Sequence, residues 1–354
     1  MSSSSISSSE KVWKKTLIAS LVTTLIMSAL TMFVVATVDP YDVFSFSLSL
    51  DRQPIANKRG MSVAGLARKA QFDSAVIGSS TSHLLNPRDL DALLGGHFVS
   101  LAIWGGTAWE QWKAAGLFAR HHPSTRTIVL GLDAFWCSGE IPPHRPSEQF
   151  QEWMYRKTSL VDIRRLFHTS VLWDTLEQID YILKLKISKT AANGFETFLP
   201  PDDRYDLKYV YTQIYGAEQP KPIPLINNTE VAKLMLSHKY PNLIYMKEIL
   251  GSFSTSTMKI LMFSPMHVYL RNSNGVDTVA MYEGCKQAVV GLAQQYPNTL
   301  VIDFMIDSPL TRNDNNFWDG PHYNAKTGKK IIELMAAIVD HSGDNQELVR
   351  LLYR

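Results

Sequence analysis

The sequence has few cysteines and little net charge, and each of these two shortages excludes a class of protein. Cys137 and Cys285 are too few and too far apart for a zinc ribbon or a disulfide scaffold. We interpret them as two buried thiols, with a single disulfide as the alternative in an oxidising compartment. A net charge of +2 without a long basic run argues against a nucleic-acid-binding protein.

Motifs for common cofactors are also missing. There is no Gly-x-Gly-x-x-Gly segment, no P-loop and no close cluster of His and Cys, so we expect no metal or nucleotide cofactor. What the chain does have is 354 residues, 45% of them hydrophobic and 10% aromatic. That length allows two domains or one large one, and the composition predicts a packed core and excludes wholesale disorder.

One long hydrophobic run lies near the N-terminus. Thr16 to Val38 contains 23 residues without a charge, which span the roughly 30 Å of a bilayer core at about 1.5 Å per residue. Three lysines precede it within five residues and the first charge after it is Asp39, so the positive-inside rule places the Ser-rich N-terminus in the cytoplasm and exports the rest. We predict an uncleaved single-pass anchor. The alternative is a cleaved signal peptide, whose apolar core is normally shorter.

After the anchor, short apolar runs alternate with helical segments. This alternation predicts a three-layer α/β/α domain with a mostly parallel five-stranded sheet, covered by helices on both faces. The predicted strands are Ser74–Gly78, Phe98–Ile103, Thr127–Leu132, Met258–Phe263 and Leu300–Phe304. The predicted organisation is a cytoplasmic tail (1–15), a transmembrane helix (16–38), a connector (39–72), the α/β domain (73–340, with an insertion at about 138–256) and a C-terminal tail (341–354).

The insertion has two halves of different character. The second half, Phe195–Tyr240, is rich in Pro, Tyr and Asn without a clear period, which is typical of a functional cover or a mobile loop. The first half, near Ser159–Leu185, has apolar residues at helical spacing, and we expect this stripe to pack in the core. The stripe consists of Leu160, Ile163, Phe167, Leu172, Leu176, Ile179 and Leu183.

Polar residues cluster where the predicted strands end. Because the carboxyl ends of parallel strands share one edge of a sheet, we expect these clusters to lie close together. A serine needs a base to become a nucleophile, the base needs a carboxylate, and the oxyanion needs backbone amides. The clusters offer Ser80 after the first strand, Gly105 and Gly106 after the second, Asp133 after the third, and Asp319 with His322 after the fifth. His267, after the fourth strand, has no assigned role.

The segments VIGSSTSH, LAIWGGTA, LGLDAF and WDGPHYN, in that order, resemble the conserved blocks of the SGNH (GDSL-like) hydrolase superfamily. More narrowly, the chain is similar to membrane-anchored bacterial members that O-acetylate exopolysaccharides, such as the alginate O-acetylation proteins. VDPYDVF directly after the anchor and NKRG at 57–60 fit that subgroup. The resemblance covers about Asp39–Asp340, although the insertion matches nothing specific.

The resemblance implies a role for each candidate. Ser80 is the nucleophile, with Ser79 in place of the usual Asp of Gly-Asp-Ser, His322 is the base and Asp319 orients it. The oxyanion glycine falls on Gly105 or Gly106, with a slight preference for Gly105. The third block of the family supplies an Asn to the oxyanion hole, whereas this chain has Asp133, and an ionised carboxylate repels an oxyanion. Asp133 is then protonated, or it holds a neighbouring loop or hydroxyl, or activity is weak or absent.

The function implied is acetyl transfer to a polysaccharide hydroxyl through an acyl-serine, outside the cytoplasmic membrane of a bacterium. The expected partners are a polysaccharide acceptor, a multipass membrane O-acyltransferase as acetyl donor and the polysaccharide synthesis machinery. A carbohydrate esterase is the alternative enzyme. A catalytically inactive carbohydrate-binding or scaffold subunit is the alternative from another class. Two features keep it open: Asp133, and the aromatic-rich insertion with Tyr205, Tyr209, Tyr211 and Tyr215.

Overall fold

A computed structural model of the chain divides it into two compact units, the first comprising Met1–Gln53 and Lys157–Ile187 and the second Pro54–Arg156 and Ser188–Arg354. Asn57 and Lys58 of the NKRG segment lie outside the residues that the structure describes. The described residues are 4–45, 47–55, 59–139, 150–157, 159–166, 168–196, 199–200, 204–343 and 345–354.

The secondary structure consists of α-helices, short 3₁₀ helices and six strands. The α-helices are α1 Ser4–Val38, α2 Arg59–Leu66, α3 Pro87–Leu94, α4 Ala108–His121, α5 Ala134–Cys137, α6 Thr169–Ile182, α7 Leu207–Tyr215, α8 Asn228–Leu234, α9 Leu243–Ser252, α10 Val268–Ser273, α11 Gly275–Ala293, α12 Pro309–Arg312 and α13 Ala325–Val339. The 3₁₀ helices are Ser82–Leu84, Glu152–Tyr155, Leu160–Leu166, Met235–Ser237 and Asp314–Asn316. The strands are β1 Ser74–Ile77, β2 Phe98–Ser100, β3 Thr127–Leu132, β4 Met258–Phe263, β5 Thr299–Asp303 and β6 Arg350–Tyr353.

The first unit is built from α1, α6 and the 3₁₀ helix Leu160–Leu166. Within the described chain, one helix is long and apolar enough to cross a membrane, and it is the Glu10–Val38 part of α1. Arg52 fixes the end of this helix, because its Nε donates to the Val38 carbonyl (2.7 Å) and its Nη1 pairs with Asp42 (3.0 Å). A carbonyl at a helix end lacks an intrahelical partner, so the guanidinium satisfies a group that would otherwise be left unpaired.

The expectation that the apolar stripe of the insertion packs in the core is wrong. Leu176 and Leu183 are more than half exposed, and Phe167 lies outside the described residues. The remaining members whose side chains are described are only half-buried: Ile163, Leu172 and Ile179. Helical periodicity shows that one face is apolar, but it does not show which face the fold buries.

The second unit contains a mixed six-stranded sheet in the order β2-β1-β3-β4-β5-β6. The first five strands are parallel, and β6 runs antiparallel to β5. The predicted α/β class with a mostly parallel sheet is therefore confirmed. The structure adds the sixth strand, Arg350–Tyr353, in the segment that the sequence analysis assigned to a C-terminal tail.

Helices cover both faces of the sheet. On one face, α3, α7 and α13 pack against alternate strand residues, among them Val76, Val129 and Ile260. On the other face, α4 contacts β1 and α9, while α11 contacts β5. Side chains along a strand alternate between its two faces, so strands buried throughout, such as β1 and β3, require two helical layers.

The interpretation of the two cysteines as thiols is also wrong. Cys137 at the end of α5 and Cys285 on α11 form a disulfide, with their Cα atoms 5.4 Å apart. These two helices pack against each other, which brings residues 148 positions apart in the sequence within disulfide distance. Sequence spacing carries no information about such a tertiary contact.

The second half of the insertion contains two helices that its composition did not predict. The carboxylate of Asp206 accepts a hydrogen bond at the start of α7, and Gly216 ends that helix in the left-handed region with φ of 62°. Asn227 caps α8 in the same way as Asp206 caps α7. Both are common helix boundary signals, in a segment without a clear apolar period.

Candidate active site

The strand order reverses between β1 and β3. From β1, β2 lies on one side, whereas β3, β4 and β5 follow on the other. Loops leaving the carboxyl ends of β1 and β3 therefore diverge and leave a crevice, which is where open α/β sheets commonly bind ligands. Gly78, Ser79 and Ser80 follow β1, and Asp133 follows β3, so these residues border the crevice.

Ser80, His322 and Asp319 form a continuous chain of hydrogen bonds. The Ser80 Oγ lies 2.8 Å from the His322 Nε2. On the other side of the ring, the His322 Nδ1 lies 2.8 Å from Oδ2 and 2.9 Å from Oδ1 of Asp319. When Nδ1 carries the proton and donates it to the carboxylate, Nε2 accepts from the serine hydroxyl, which is the arrangement a general base requires. The structure thus brings together the three residues predicted as a triad.

The loop that carries Asp319 and His322 is fixed by its own backbone. Phe317 and Tyr323 form an isolated antiparallel bridge, and the Trp318 N–H donates to the His322 carbonyl (2.8 Å). The carboxylate of Asp319 also accepts the His322 N–H (2.7 Å), so it positions both the backbone and the ring of the histidine. The base is therefore held before any substrate binds.

Two contacts attach this loop to its surroundings. The Tyr323 hydroxyl donates to the carbonyl of Thr81 (2.7 Å), directly after Ser80. Gly320 lies so close to Leu270 of α10 that an added Cβ would meet the Leu270 Cδ2 at 2.3 Å. The glycine of the Asp-Gly-Pro-His segment is thus explained by a close approach to α10.

The structure distinguishes Gly105 from Gly106. The Gly106 N–H donates to the Ile103 carbonyl (2.8 Å), which closes a turn with Gly105 at a φ of 51°. The Ile103 N–H donates to the Gly78 carbonyl (2.9 Å), so the turn lies beside the loop that carries Ser80. In the described part of the chain, the Gly105 and Ser80 amides have no acceptor. Both amides are therefore available to donate to an oxyanion.

Asp133 is occupied by other contacts. Its Oδ2 accepts a hydrogen bond from the Ser79 hydroxyl, and its Oδ1 accepts the Phe135 N–H (3.0 Å) as the N-cap of α5. Burial raises the pKa of Asp133 to about 6. The hydrogen bonds from Ser79 and Phe135 and the electrostatic interaction with His322 act in the opposite direction, because they favour the ionised carboxylate. Of the three alternatives for this residue, the geometry matches the second, a carboxylate that holds a neighbouring hydroxyl and loop.

A second His–Asp pair lies behind the triad loop, and the sequence analysis did not assign it a role. The His267 Nδ1 accepts the Tyr269 N–H (3.2 Å), and its Nε2 lies 3.2 Å from the Oδ1 of Asp314. The hydroxyl of Tyr215 on α7 donates to that same oxygen (2.6 Å), and the backbone N–H of His267 donates to the Gly320 carbonyl (2.8 Å). This group connects the insertion to the triad loop. No spacing in the sequence indicates it.

Aromatic residues adjoin the triad residues in the sequence. Trp318, directly before Asp319, packs against Tyr209 of α7 with ring centroids 4.5 Å apart, and Tyr209 is 41% exposed. Trp104, directly before Gly105, is 40% exposed. Of the insertion tyrosines, Tyr215 is buried and Tyr205 and Tyr211 are partly buried, so Tyr209 presents the most exposed ring next to the triad loop.

A cavity of about 690 Å³ lies elsewhere in the same unit, and no triad residue lines it. Its walls include Arg271, Arg312 and Glu283. The guanidinium of Arg312 forms a two-pronged ion pair with Asp307, another wall residue, so its charge is already compensated. Ser80, His322 and Asp319 therefore lie outside this cavity.

Comparisons with known proteins find little. No protein-family model matches the chain, and no curated protein sequence matches it. A solved structure from Streptococcus pneumonia, described as that of a provisionally assigned platelet activating factor, is 11% identical with a TM-score of 0.35, over 81% of this chain and 92% of that one.

Proposed function

We propose that the chain is an extracytoplasmic serine-dependent acyltransferase that moves an acetyl group onto a polysaccharide hydroxyl. The observation that carries this proposal is the hydrogen-bonded chain from Ser80 through His322 to Asp319. His322 removes the Ser80 proton as the oxygen attacks the acetyl carbonyl, and the Gly105 and Ser80 amides stabilise the oxyanion. His322 then returns the proton to the leaving oxygen, which leaves acetyl-Ser80.

The second half of the reaction repeats these steps with an acceptor. His322 takes the proton of a sugar hydroxyl, that oxygen attacks the acetyl carbon, and Ser80 leaves with the proton restored. The exposed ring of Tyr209 and the neighbouring Trp318 supply aromatic faces on which a sugar ring can stack. A bound acceptor competes with water because orientation raises its effective concentration to about 10⁵ M or more.

Two features support an extracytoplasmic site. The helix Glu10–Val38 is able to span a bilayer, and the lysines before it favour a cytoplasmic N-terminus. The Cys137–Cys285 disulfide suits an oxidising compartment. In that compartment the resemblance implies a multipass membrane O-acyltransferase as acetyl donor, and the anchor would hold the domain beside it and the polysaccharide synthesis machinery.

A carbohydrate esterase is the second candidate, because one observation favours it. The side chains of His322 and Asp319 are 20% and 25% exposed, so water has access to the acyl-serine. The two reactions share every step up to acetyl-Ser80 and differ only in the nucleophile that follows. An inactive binding subunit does not require an aligned triad, so we rank this function third.

The experiment follows the acyl group on the full-length chain in detergent. Intact mass spectrometry after incubation with an activated acetyl ester should show one added acetyl group, mapped to Ser80 by peptide analysis. Ser80→Ala is the control for the nucleophile, and Asp319→Asn, which keeps the shape of the side chain, should slow acylation by on the order of 10⁴-fold. Acetylation at Ser79 or Ser82, or none at all, contradicts the proposal.

A second measurement separates transfer from hydrolysis. With an acetyl ester and a panel of oligosaccharides, we expect acetylated sugar to form faster than free acetate. Tyr209→Ala should shift the products towards acetate while acylation of Ser80 continues. If acetate dominates for every oligosaccharide with the unmodified chain, the esterase assignment replaces ours.

A further inference from the structure

Helix α6 buries three polar side chains together with Val171 and Tyr181, while two large apolar side chains on its opposite face are exposed to solvent. Asp174, Thr175 and Gln178 are buried. Trp173 and Leu176 on the opposite face are 69% and 54% exposed. A helix surrounded by water normally buries the apolar face, so an exposed apolar face requires an apolar neighbour.

The buried polar side chains of α6 are paired. The Tyr41 hydroxyl donates to the carboxylate of Asp174. The Gln178 amide donates to the carbonyls of Pro40 (3.1 Å) and Gln53 (3.0 Å) and accepts the Gln53 N–H (3.3 Å). These contacts satisfy the inward face, so the orientation of α6 is specified by hydrogen bonds.

The same contacts determine where α6 lies. Pro40 and Tyr41 follow α1 within three residues, so α6 packs on the chain directly after the helix that is able to span a membrane. Within the first unit, α6 and the 3₁₀ helix Leu160–Leu166 both contact α1. If α1 spans a bilayer, a helix held at this position lies where the anchor leaves the hydrocarbon core.

The exposed apolar surface continues beyond α6. Leu183, Leu185 and Ile187 are 61%, 73% and 90% exposed. The lysines between them, Lys184 and Lys186, are exposed as well. Apolar residues interrupted by lysines, with a tryptophan on the same surface, are typical of segments at the boundary between headgroups and acyl chains.

We propose that α6 and the segment Leu183–Ile187 lie in the lipid headgroup region beside the anchor, with Trp173, Leu176 and Leu183 inserted among the acyl chains. This inference rests on the membrane anchor of the proposed function. Lipid is the occupant that the structure favours because the apolar face adjoins the end of the anchor. The chain is then attached to the membrane by a transmembrane helix and by a second, interfacial one.

The test measures the depth of spin labels in the full-length chain, reconstituted in vesicles of phosphatidylethanolamine and phosphatidylglycerol. Labels are attached to Leu176→Cys and Leu183→Cys, whose exposed positions accept a new side chain without repacking. Leu25→Cys in α1 is the reference for the hydrocarbon core, and Lys329→Cys on α13 is the reference for water. The native cysteines are joined to each other and take no label.

Accessibility to oxygen, which concentrates in lipid, is compared with accessibility to a water-soluble nickel chelate. We expect the ratio at positions 176 and 183 to exceed that at 329 several-fold and to fall below that at 25. If position 25 is in lipid while 176 and 183 are as accessible to nickel as 329, the inference is wrong and the anchor stands. Labels at 176 and 183 shielded from both reagents would show a protein contact instead and overturn it. A water-accessible label at position 25 would show that the anchor itself is wrong.

Discussion

The hydroxyl of Ser79 donates a hydrogen bond to the carboxylate of Asp133 and so joins the loop after β1 to the loop after β3. In the family that the sequence resembles, an Asp precedes the nucleophilic serine and an Asn occupies the third block. In this chain the residue before Ser80, the proposed nucleophile, is a serine, and the carboxylate is that of Asp133 after β3. Both carboxylate oxygens have partners, so Asp133 joins the two loops and caps α5.

Asparagine and alanine at position 133 should behave differently. Asp133→Asn keeps an oxygen for the Phe135 N–H and a donor for the Ser79 hydroxyl, so we expect little change in thermal stability near pH 4, where Asp133 in the folded chain is also uncharged. Loss of the negative charge near the oxyanion should leave the rate of Ser80 labelling by a fluorophosphonate unchanged or higher. Asp133→Ala removes the cap and leaves the Ser79 hydroxyl unpaired, which should cost about 2–4 kcal/mol. Equal destabilisation by both variants would contradict this account.

Asp133 should also make stability depend on pH. Burial raises the pKa of Asp133 from 3.8 to about 6. A folded-state pKa above the unfolded value means that protonation stabilises the fold, so this contribution is fully present below pH 3.8 and is lost as pH rises through 6. The difference corresponds to about 3 kcal/mol. The stability of the natural chain relative to Asp133→Asn should therefore fall between pH 4 and pH 7. A constant difference over that range would show that Asp133 titrates normally.

The sequence was sufficient for much of the sheet and for the position of the site. The predicted strand Thr127–Leu132 matches β3, because a short run of buried apolar residues between turns has few other interpretations. The carboxyl ends of parallel strands share one sheet edge, so the sequence predicts that Ser80, directly after β1, lies near the loop that follows β5 and carries His322.

The features that the sequence did not predict depend on contacts between residues that are far apart in the chain. The stripe containing Leu176 has the same period whether it faces a core or a membrane, and the buried partner of Asp174 is Tyr41, 133 positions away. The Cys137–Cys285 bond depends likewise on the packing of α5 on α11.

Ser82 occupies the space that two glycines leave open. An added Cβ on Gly131 would lie 1.9 Å from the Ser82 Oγ and 3.2 Å from its Cβ. An added Cβ on Gly78 would lie 2.0 Å from the Oγ and 2.6 Å from the Cβ. Gly131→Ala should therefore cost about 1–3 kcal/mol through overpacking. Ser82→Ala, which removes the oxygen, should restore most of that loss.

Gly78→Ala is the matched control for this rescue. Because the Cβ of Ser82 itself lies too close to an alanine at position 78, Ser82→Ala should leave Gly78→Ala strongly destabilised. Thermal unfolding of the two double variants decides between these outcomes. Equal rescue of both, or of neither, would show that the loop after β1 moves to relieve the overlap.

The disulfide should contribute substantially to stability. It closes a segment of 148 residues, so reduction should lower the free energy of unfolding by about 2–5 kcal/mol. Cys137→Ser combined with Cys285→Ser should unfold at the temperature of the reduced natural chain and should not respond to a reductant. Ser80 labelling of the double variant should persist below its unfolding temperature, because the triad lies outside the segment that the disulfide holds. Loss of labelling in folded protein would contradict this separation.

The group formed by Tyr215, Asp314 and His267 should control the position of the catalytic loop. Because the His267 Nδ1 accepts the Tyr269 N–H, its ring proton is on Nε2, facing the carboxylate that the Tyr215 hydroxyl also contacts. The backbone N–H of His267 in turn donates to the carbonyl of Gly320, between Asp319 and His322. Tyr215→Phe keeps the ring but removes the hydroxyl that donates to Asp314. We therefore expect Asp314, and with it the triad loop, to shift.

Tyr209→Phe, on the same helix, is the matched control, since the Tyr209 hydroxyl has no partner among the described residues. We expect Tyr215→Phe to slow fluorophosphonate labelling of Ser80 several-fold at a temperature where the chain is fully folded, whereas Tyr209→Phe labels at the natural rate. Asp314→Asn should resemble Tyr215→Phe, because the neutral side chain accepts the hydrogen bond of the Tyr215 hydroxyl more weakly. A lower unfolding temperature for Tyr215→Phe with an unchanged labelling rate would mean that the group fastens α7 to the domain without positioning the base.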